Sequence, residues 1–470
     1  QKVTQPSGSY INYTTNSAGD TTAATDAAGN ATQYRYDYLG RTVAVIAPDG
    51  SKRTTVYDEP GNNITAKAYD STGALISKIS AAYDGNGNQV STTDALGHTT
   101  SFTYDATGMV TGETQPISAT ASITTSFGYD LQGHRTRYTD GRGNKHLSTY
   151  NAWGLLESQI EPATTANPND RTWTISYDAA GQPVKQTQPG GVVVTNTYDT
   201  VGNLTGQTGS GAEAVTADRT FGYDLAGQLT SMKAGTGTDT FTYNDRGLLA
   251  TAAGPSGGSS FTYNGDGLVT GRTDAAGTST YSYDTVDRLS GVTDASTGQT
   301  IAYTYDGLSR VTKATYATGD TRNFGYDNAS RLTSDTLKTS AGAVVASVGY
   351  GYDLDGRETS KTTSGFAGSA AHTYGYDWAG RLTSWNNGTT TTTYTYDNAG
   401  NRTQLGAKAM VYDERDQLVG DGSTTYTYTA RGTLKSTVTG STTQNLTSDA
   451  YGQQIAIGAE AYTYDSLGRV

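Results

Sequence analysis

The stretch FGYDLQGHRT at residues 127–136 decides the fold of this chain, because two further stretches closely resemble it. FGYDLAGQLT occupies residues 221–230, and FGYDNASRLT occupies residues 324–333. All three copies keep an aromatic residue, a glycine and a Tyr-Asp pair at the start, whereas later positions vary. Self-similarity of this kind is the signature of a repeat architecture, in which each copy folds as one supersecondary unit against its neighbours.

The Tyr-Asp pair itself recurs along the chain. Most intervals between copies are 20 to 27 residues, and the run from Tyr223 to Tyr283 keeps to 20. Tyr-Asn pairs at Tyr150, Tyr243 and Tyr263 fill gaps in the series. The series predicts about twenty repeats of one short unit. The seventeen Tyr-Asp pairs begin at Tyr36, Tyr57, Tyr69, Tyr83, Tyr104, Tyr129, Tyr177, Tyr198, Tyr223, Tyr283, Tyr305, Tyr326, Tyr352, Tyr376, Tyr396, Tyr412 and Tyr464.

The unit reads aromatic-x-Tyr-Asp-x-x-Gly-x-x-Thr, and each part of it favours a β-hairpin. Two aromatic residues two positions apart lie on one face of a strand, because successive side chains alternate. Aspartate can accept hydrogen bonds from its own backbone two residues on, and glycine takes the left-handed conformation. The spacing predicts a type I turn that closes with a bulge at the glycine. Four units carry another residue there, namely Asp287, Ser309, Ser330 and Asp416.

A second turn signal lies between the Tyr-Asp pairs. Its copies are TDAAGN (25–30), TDALGH (93–98), TDGRGN (139–144) and TDAAGT (273–278). Turn signals about every 8–12 residues are typical of an all-β chain. We therefore predict an all-β fold, in which tandem β-hairpin (YD) repeats form a long, curling antiparallel β-ribbon. Since an open twisted sheet rarely exceeds about ten strands without curling or splitting, we favour a hollow spiral shell or barrel.

Composition excludes several classes of protein. The 470 residues carry a net charge of −12, include 35 tyrosines and contain no cysteine. An aromatic-rich, weakly charged chain is unlike a disordered one. Without cysteine there is no disulfide framework and no thiolate metal site. The acidic balance lacks the basic footprint of a nucleic-acid-binding protein, and no apolar run reaches the about 18 residues of a membrane span, so we predict neither partner.

Three residue types invite a chemical interpretation, and each has a structural alternative. Ca²⁺ needs several oxygens in one place, whereas single aspartates spaced along an edge cap turns. The tyrosines form either a packing ladder between hairpins or a platform for sugars; their strand positions and the presence of only four tryptophans favour the ladder. His98, His134, His146 and His372 lack helical metal-ligand spacing. We predict no catalytic residue, no metal site and no cofactor.

The unit resembles the repeat of the Rhs, or YD-repeat, family. The Tyr-Asp-x-x-Gly-(Arg/Asn) pattern carries the match, as in YRYDYLGRTV (34–43), YGYDWAGRLT (374–383) and YTYDNAGNRT (394–403). We assign residues 1–470 to one YD/Rhs repeat domain, which is less regular over residues 1–32 and has compressed repeats over residues 397–470. The repeat-signature residues that we assign are Tyr129, Asp130, Gly133, Tyr223, Asp224, Gly227, Tyr376, Asp377, Gly380, Tyr396, Asp397 and Gly400.

Members of this family include bacterial Rhs polymorphic toxins, the B and C components of insecticidal ABC toxin complexes, and cell-surface teneurins. The resemblance implies a hollow shell that, in toxin members, encloses a C-terminal toxic domain. It predicts a structural, non-enzymatic shell of a secreted or surface-exposed bacterial toxin, whose partner is its own C-terminal cargo. The alternative is a cell-surface adhesin that binds cell-wall or surface glycans.

Bacterial members typically end their repeats with a core domain, which carries a DPxGRF-like stretch and cleaves itself through aspartates. This sequence has no such stretch, and it stops within the repeat unit YTYDSLGRV at residues 462–470. We therefore interpret the chain as a fragment of a longer repeat region, with the cargo and the self-cleavage site outside it.

Overall fold

The computed structural model describes residues 1–235 and 237–469, and nearly all regular structure in them is β-strand. These residues form 45 strands and a single 3₁₀ turn, Pro189–Gly191. The predicted all-β fold of tandem β-hairpins is confirmed. None of the helical structure in the described residues is long and apolar enough to span a membrane.

The strands follow one another at short intervals along the chain. The first fifteen are β1 (Lys2–Thr4), β2 (Tyr10–Thr15), β3 (Thr21–Asp26), β4 (Ala31–Tyr36), β5 (Thr42–Ile46), β6 (Lys52–Tyr57), β7 (Asn63–Tyr69), β8 (Leu75–Tyr83), β9 (Gln89–Thr93), β10 (Thr99–Tyr104), β11 (Val110–Pro116), β12 (Ser122–Tyr129), β13 (Arg135–Thr139), β14 (Lys145–Tyr150) and β15 (Leu156–Ile160). The next fifteen are β16 (Thr172–Tyr177), β17 (Pro183–Gln188), β18 (Val192–Tyr198), β19 (Leu204–Ser210), β20 (Arg219–Tyr223), β21 (Leu229–Ala234), β22 (Gly237–Tyr243), β23 (Leu249–Gly254), β24 (Gly257–Tyr263), β25 (Val269–Asp274), β26 (Gly277–Tyr283), β27 (Leu289–Thr293), β28 (Thr300–Tyr305), β29 (Val311–Tyr316) and β30 (Thr321–Tyr326). The last fifteen are β31 (Leu332–Lys338), β32 (Val344–Tyr352), β33 (Glu358–Ser364), β34 (Ala371–Tyr376), β35 (Leu382–Asn386), β36 (Thr391–Tyr396), β37 (Arg402–Leu405), β38 (Lys408–Ala409), β39 (Val411–Tyr412), β40 (Leu418–Gly420), β41 (Thr424–Tyr428), β42 (Leu434–Thr439), β43 (Thr442–Ser448), β44 (Gln454–Ile457) and β45 (Glu460–Ala461).

Strands pair with their neighbours in sequence, and the pairing is antiparallel. Strands β1 to β38 belong to one sheet of 38 strands, and β39 to β45 form a sheet of seven. Strand β4 pairs with β5 through the turn of one Tyr-Asp pair, and β5 pairs with β6 through the turn that follows. Each repeat is thus one hairpin, to which the next repeat adds another.

A β-bulge accompanies the Tyr-Asp hairpins. In the hairpin of β20 and β21, Tyr223 pairs with Leu229 and Gly222 pairs with Ser231, so Thr230 is the extra residue. The same register shift recurs where Tyr57 pairs with Asn63. The last position of the repeat unit, which is Thr230 in the first hairpin and Ile64 in the second, is therefore a bulge that interrupts the ladder of backbone hydrogen bonds. This second bulge lies outside the predicted turn.

The chain divides into two compact units, each of which combines ribbon segments that are distant in sequence. Unit 1 contains residues 1–104, 114–122 and 261–392, and unit 2 contains residues 105–113, 123–260 and 393–470. Within each unit we call the residues before 261 the early segment and those from 261 on the late segment. The two segments of one unit contact each other: in unit 1 the Asn328 amide donates to Asp70 at 2.8 Å.

Few large apolar side chains are fully buried among the described residues. The main buried cluster, in unit 2, contains Val192, Val194 and Ala450. A ribbon one sheet thick has little interior, because side chains on both faces remain close to solvent. Contacts between neighbouring hairpins must therefore supply much of the stability.

Candidate functional site: the tyrosine–aspartate turn and the acid–histidine cluster

The repeat turn is built by its aspartate and its glycine. At the turn 130–134, the N–H of Gly133 donates to the Asp130 carbonyl at 3.1 Å, and the N–H of Asp130 donates to the His134 carbonyl at 3.0 Å. The Asp130 carboxylate accepts the backbone N–H groups of Gln132 and His134, each at 2.9 Å. Gly133 has a φ of 88°. The predicted type I turn with a left-handed closing residue is present here.

The other signature residues adopt the same arrangement. The Asp224 carboxylate accepts the N–H groups of Ala226 and Gln228, and the Asp397 carboxylate accepts those of Ala399 and Asn401. The carboxylate of Asp377 accepts the N–H of Arg381. The four closing glycines have left-handed φ angles between 79° and 93°; they are Gly133, Gly227, Gly380 and Gly400.

Four turns close with a residue other than glycine. Asp287, Ser309, Ser330 and Asp416 have φ angles of 61° to 66°, and they are the only non-glycine residues with positive φ in the described chain. These are the four positions at which the sequence departs from the repeat pattern. The backbone conformation of the turn is therefore kept even where its usual residue is replaced, at a cost in strain.

The repeat tyrosines link each hairpin to the preceding one. The Tyr223 hydroxyl donates to the Leu204 carbonyl at 3.0 Å, and Leu204 is the residue that pairs with Tyr198 of the preceding repeat. Leu204 directly precedes the bulge residue, so the tyrosine binds a carbonyl beside the interrupted ladder. Burial, aided by Asp199, raises the pKa of Tyr223 and keeps its hydroxyl protonated as a donor.

This hydroxyl-to-carbonyl bond forms a ladder along both units. Its donors include Tyr36, Tyr57, Tyr83, Tyr104, Tyr129, Tyr150, Tyr177, Tyr198, Tyr223, Tyr243, Tyr283, Tyr305, Tyr326, Tyr352, Tyr376, Tyr428 and Tyr464. One Tyr-Asp pair differs from the others in a way that the sequence pattern did not reveal. Asp70, which follows Tyr69, begins the turn between β7 and β8, and this turn lies at the opposite edge of the ribbon from the other Tyr-Asp turns of unit 1. We call the two edges the YD edge and the opposite edge.

Arginine after the turn glycine fastens one repeat to the next. The Arg357 Nε donates to Asp353 of its own turn at 2.7 Å, and its Nη1 donates to the Asp377 carbonyl of the next turn at 3.2 Å. The same guanidinium lies 5.3 Å from the ring centroid of Tyr376, within reach of a cation–π contact. The Gly-Arg part of the repeat pattern thus has a structural role that the sequence alone did not reveal.

Histidine and glutamine fill the same position in other repeats. His134 Nδ1 lies 2.9 Å from the Asp130 carboxylate, which accepts the hydrogen bond, and the His134 ring stacks on Tyr150 with centroids 4.6 Å apart. Gln228 donates to the Gly247 carbonyl of the next turn at 2.9 Å. The position after the glycine therefore serves as a connector, whichever polar residue occupies it.

Hydrogen bonds lower the pKa of the aspartate in several turns. The Asn203 side chain donates to Asp199 at 2.9 Å and, with backbone N–H groups, lowers the pKa of Asp199. At Asp353, burial raises the pKa, but donation from Arg357 outweighs it and the net pKa is lowered. The backbone N–H groups of Ser423 and Thr424 lower the pKa of Asp421 to about 2.

In unit 2, the YD turns of the late segment contact the early segment. Arg431 is almost fully buried; its guanidinium lies 2.6 Å from Glu213 and donates to the Asp449 carbonyl at 2.7 Å. The Tyr451 hydroxyl donates to the Gln207 carbonyl at 2.9 Å. The spacing of 16 residues from Tyr412 to Tyr428 indicated the first of these turns, although Thr429 replaces its aspartate. The pattern missed the second turn, because Ser448 replaces its tyrosine; Asp-x-x-Gly at 449–452 was the available signal.

Close approach of the two segments also requires a glycine. A Cβ on Gly141 would overlap the Asn398 carbonyl oxygen and would lie 2.7 Å from Ile123 Cγ2. The other copies of this turn carry alanine at the equivalent position, as in TDAAGN and TDALGH. The glycine of TDGRGN therefore lets a late turn pack directly on an early one.

An acid–histidine cluster lies between the two segments of unit 1. Asp94 and His98 belong to the opposite-edge turn of TDALGH, and Asp355 belongs to a YD turn of the late segment. His98 Nδ1 is 3.0 Å from Asp94 Oδ2, and the N–H of Ala95 donates to Asp355 at 3.0 Å across 260 residues of sequence. Burial, together with the charge of Asp94, raises the pKa of Asp355.

The cluster opens into a cavity of about 310 Å³ that is also lined by Trp378. The Trp378 ring stacks on His98 with centroids 4.4 Å apart. One possible ligand atom each from Asp94, His98 and Asp355 lies within 4.8 Å of the others. Sequence spacing did not reveal this group, since only the packing of the late segment on the early one brings Asp355 to the histidine.

The remaining histidines have local partners. His146 Nδ1 is 3.2 Å from Glu161, and this hydrogen bond raises the pKa of His146 against the opposing effect of burial. His372 accepts a hydrogen bond from the Trp385 indole at 3.1 Å. Each of these two histidines therefore has a hydrogen-bond partner that gives it a structural role.

Two family models match stretches of the repeat series. A model described as RHS Repeat matches residues 16–52, 83–116, 177–214, 263–297 and 283–321, and one described as Teneurin YD-shell matches residues 321–470. The chain belongs to the Rhs/YD-repeat family. A search of curated proteins finds no match to this member of the family.

Solved structures of Tc toxins share the fold of this Rhs/YD-repeat chain. A TcdB2-TccC3 structure without its hypervariable C-terminal region has a TM-score of 0.74 at 14% identity, over 95% of this chain and 29% of that one. A Photorhabdus luminescens Tc holotoxin pore with the TccC3-D651A mutation has a TM-score of 0.74 at 15% identity, over 97% and 30% of the respective chains. The Rhs/YD-repeat chain thus spans about 30% of the length of these structures.

Proposed function

We propose that this chain is a structural, non-enzymatic wall of a hollow shell that encloses a cargo. The observation that carries the proposal is the connection between repeats: each hairpin binds the preceding one through a tyrosine hydroxyl and, in many repeats, the next one through an arginine. Such a ribbon extends by addition of like units, and its turns are used for packing. Membership of the Rhs/YD-repeat family supports the same role.

The cargo that we propose is a C-terminal toxic domain of the same polypeptide, and the place of action is outside the bacterial cytoplasm, after secretion or at the cell surface. Support comes from the fold shared with TcdB2-TccC3, a protein whose C-terminal region is described as hypervariable. A repeat wall of constant fold that is followed by a variable segment is what we expect of a shell that encloses different cargo domains. The hollow spiral form of the ribbon is part of this proposal.

The alternative of a sugar-binding adhesin receives less support from the tyrosines. The ladder hydroxyls donate to backbone carbonyls, and rings such as Tyr376 are covered by an arginine of the preceding repeat. A stacking platform for sugars needs an open ring face and free polar groups around it. We expect no binding to a glycan array by the folded chain.

Protease protection tests the container role directly. The natural full-length polypeptide is treated with trypsin, and cleavage of its C-terminal segment is followed as urea is raised. We expect the segment to resist cleavage until the wall unfolds, at the urea concentration at which tyrosine and tryptophan signals change. Rapid cleavage of that segment while the wall remains folded would contradict enclosure.

A further inference from the structure

The acid–histidine cluster of unit 1 combines ligand types that bind metal ions. We propose that Asp94, His98 and Asp355 form a site for a divalent transition-metal ion, such as Zn²⁺ or Mn²⁺, that ties the late ribbon segment to the early one. The proposal does not depend on enclosure of a cargo. It revises the expectation from the sequence that the chain has no metal site.

The three groups select a class of ion. An imidazole nitrogen beside two carboxylates suits Zn²⁺ and Mn²⁺, whereas Ca²⁺ takes six to eight oxygen ligands. Ligand atoms about 2.1 Å from a tetrahedral metal are about 3.4 Å apart. The candidate atoms lie within 4.8 Å of one another, and side-chain rotations can reduce that separation. The cavity beside them leaves room for water to complete the coordination.

The charges around the cluster favour a cation. Asp355 Oδ1 is occupied by the N–H of Ala95, and Arg357 Nη2 lies 3.4 Å from its Oδ2. The other donors of Arg357 are engaged, since Nε binds Asp353 at 2.7 Å and Nη1 binds the Asp377 carbonyl at 3.2 Å. Asp94 and Asp353 are the carboxylates whose charges act on Asp355, and Arg357 is the one guanidinium that does so, which leaves an excess of carboxylate charge for a divalent ion to balance.

A second histidine turn shows what distinguishes the proposed site. His134 has the same place in its turn as His98 and contacts Asp130 at 2.9 Å, much as His98 contacts Asp94 at 3.0 Å. Of the two, only His98 belongs to a cluster of three potential ligands in the described chain. The His134 turn is therefore a matched control within the same polypeptide.

Titration calorimetry with ZnCl₂ tests the site on chelator-treated protein. We expect one site in the wild type, binding at least about tenfold weaker in His98→Asn and in Asp355→Asn, and unchanged binding in His134→Asn. Asparagine is the residue of the TDAAGN and TDGRGN turns at this position, so His98→Asn keeps the repeat pattern and should fold. Equal affinity in the wild type and His98→Asn, or no binding at millimolar Zn²⁺, would overturn the proposal.

Tryptophan fluorescence gives a second readout that locates the ion. Because Trp378 stacks on His98 at 4.4 Å, bound Co²⁺ should quench its emission. We expect the quenching to be largely lost in Trp378→Phe, while the calorimetric affinity for Co²⁺ remains, and to be lost together with affinity in Asp355→Asn. Quenching that persists in Trp378→Phe would place the ion near another tryptophan and would contradict the assignment.

Discussion

The YD turns of the early and late segments in unit 2 share one backbone and differ in what their tips contact. Early tips are exposed: the side chains of Leu131 and Leu225 are essentially fully accessible, and Val201 is 81% exposed. Late tips are covered, since Arg431 is 7% exposed and Ala450 is fully buried against the early segment. The repeat pattern thus specifies the turn in both segments, whereas coverage of the tip by another segment differs between the early and the late turns.

Acidification should reduce the stability of the chain the most, because it protonates the turn aspartates, which the early and late turns share. Turn aspartates such as Asp199 have lowered pKa values, and that of Asp421 is about 2. Their stabilising effect is complete above the unfolded pKa of about 4 and is lost as pH falls through the lowered values toward 2. Urea-unfolding midpoints measured from pH 7 to pH 2 should fall steeply below pH 4. An unchanged midpoint would contradict the role of the ionised carboxylates.

Removal of the buried arginine at a late tip should have the next largest effect. Arg431→Met leaves Glu213 and the Asp449 carbonyl without their guanidinium, and a loss of about 2–4 kcal/mol in the free energy of unfolding is expected. Urea unfolding followed by fluorescence of Trp153 and Trp173 measures it. The exposed Lys435 on strand β42 supplies the control Lys435→Met, which should change the midpoint little.

A methyl group at the contact between segments should destabilise by overpacking. Gly141→Ala places a Cβ against the Asn398 carbonyl, and about 1–3 kcal/mol of destabilisation is expected. The control is Gly85→Ala, since Gly85 also lies in a turn, has no positive φ and has open space around its Cβ. If thermal unfolding shows equal shifts for the two variants, the segments do not pack at Gly141 as described.

Loss of one ladder bond should have a smaller, local effect. Tyr223→Phe keeps the ring but removes the hydroxyl that donates to the Leu204 carbonyl, and about 1 kcal/mol is expected. Faster hydrogen exchange in strands β19 and β20 would localise the change. Tyr38→Phe, at an exposed turn tip, should leave both stability and exchange unaltered.

The smallest effect is expected at an early tip. Leu225→Ala removes a side chain that is fully accessible, so the change in the free energy of unfolding should lie within about 0.5 kcal/mol. Urea unfolding of the isolated chain measures it. A larger loss would show that early tips are also covered, and would remove the distinction between the two sets of turns.

The sequence could predict what lies within one repeat. Its Asp-x-x-Gly spacing specifies the turn through local hydrogen bonds, and the departures at Asp287, Ser309, Ser330 and Asp416 keep the left-handed conformation. The sequence pattern could not predict the contacts between segments, because the residues in contact are more than 200 positions apart, as for Arg431 and Glu213. The bulge at the last position of the repeat unit and the hydroxyl ladder also went unpredicted, since they depend on how neighbouring hairpins align.

Cryo-electron microscopy of the complete natural polypeptide would show whether the ribbon encloses a cargo. We expect a closed shell whose wall shows the tyrosine ladder between successive hairpins and whose interior contains additional density from the cargo. An open ribbon with no enclosed density would contradict the container role, even if its hairpins have the structure described above.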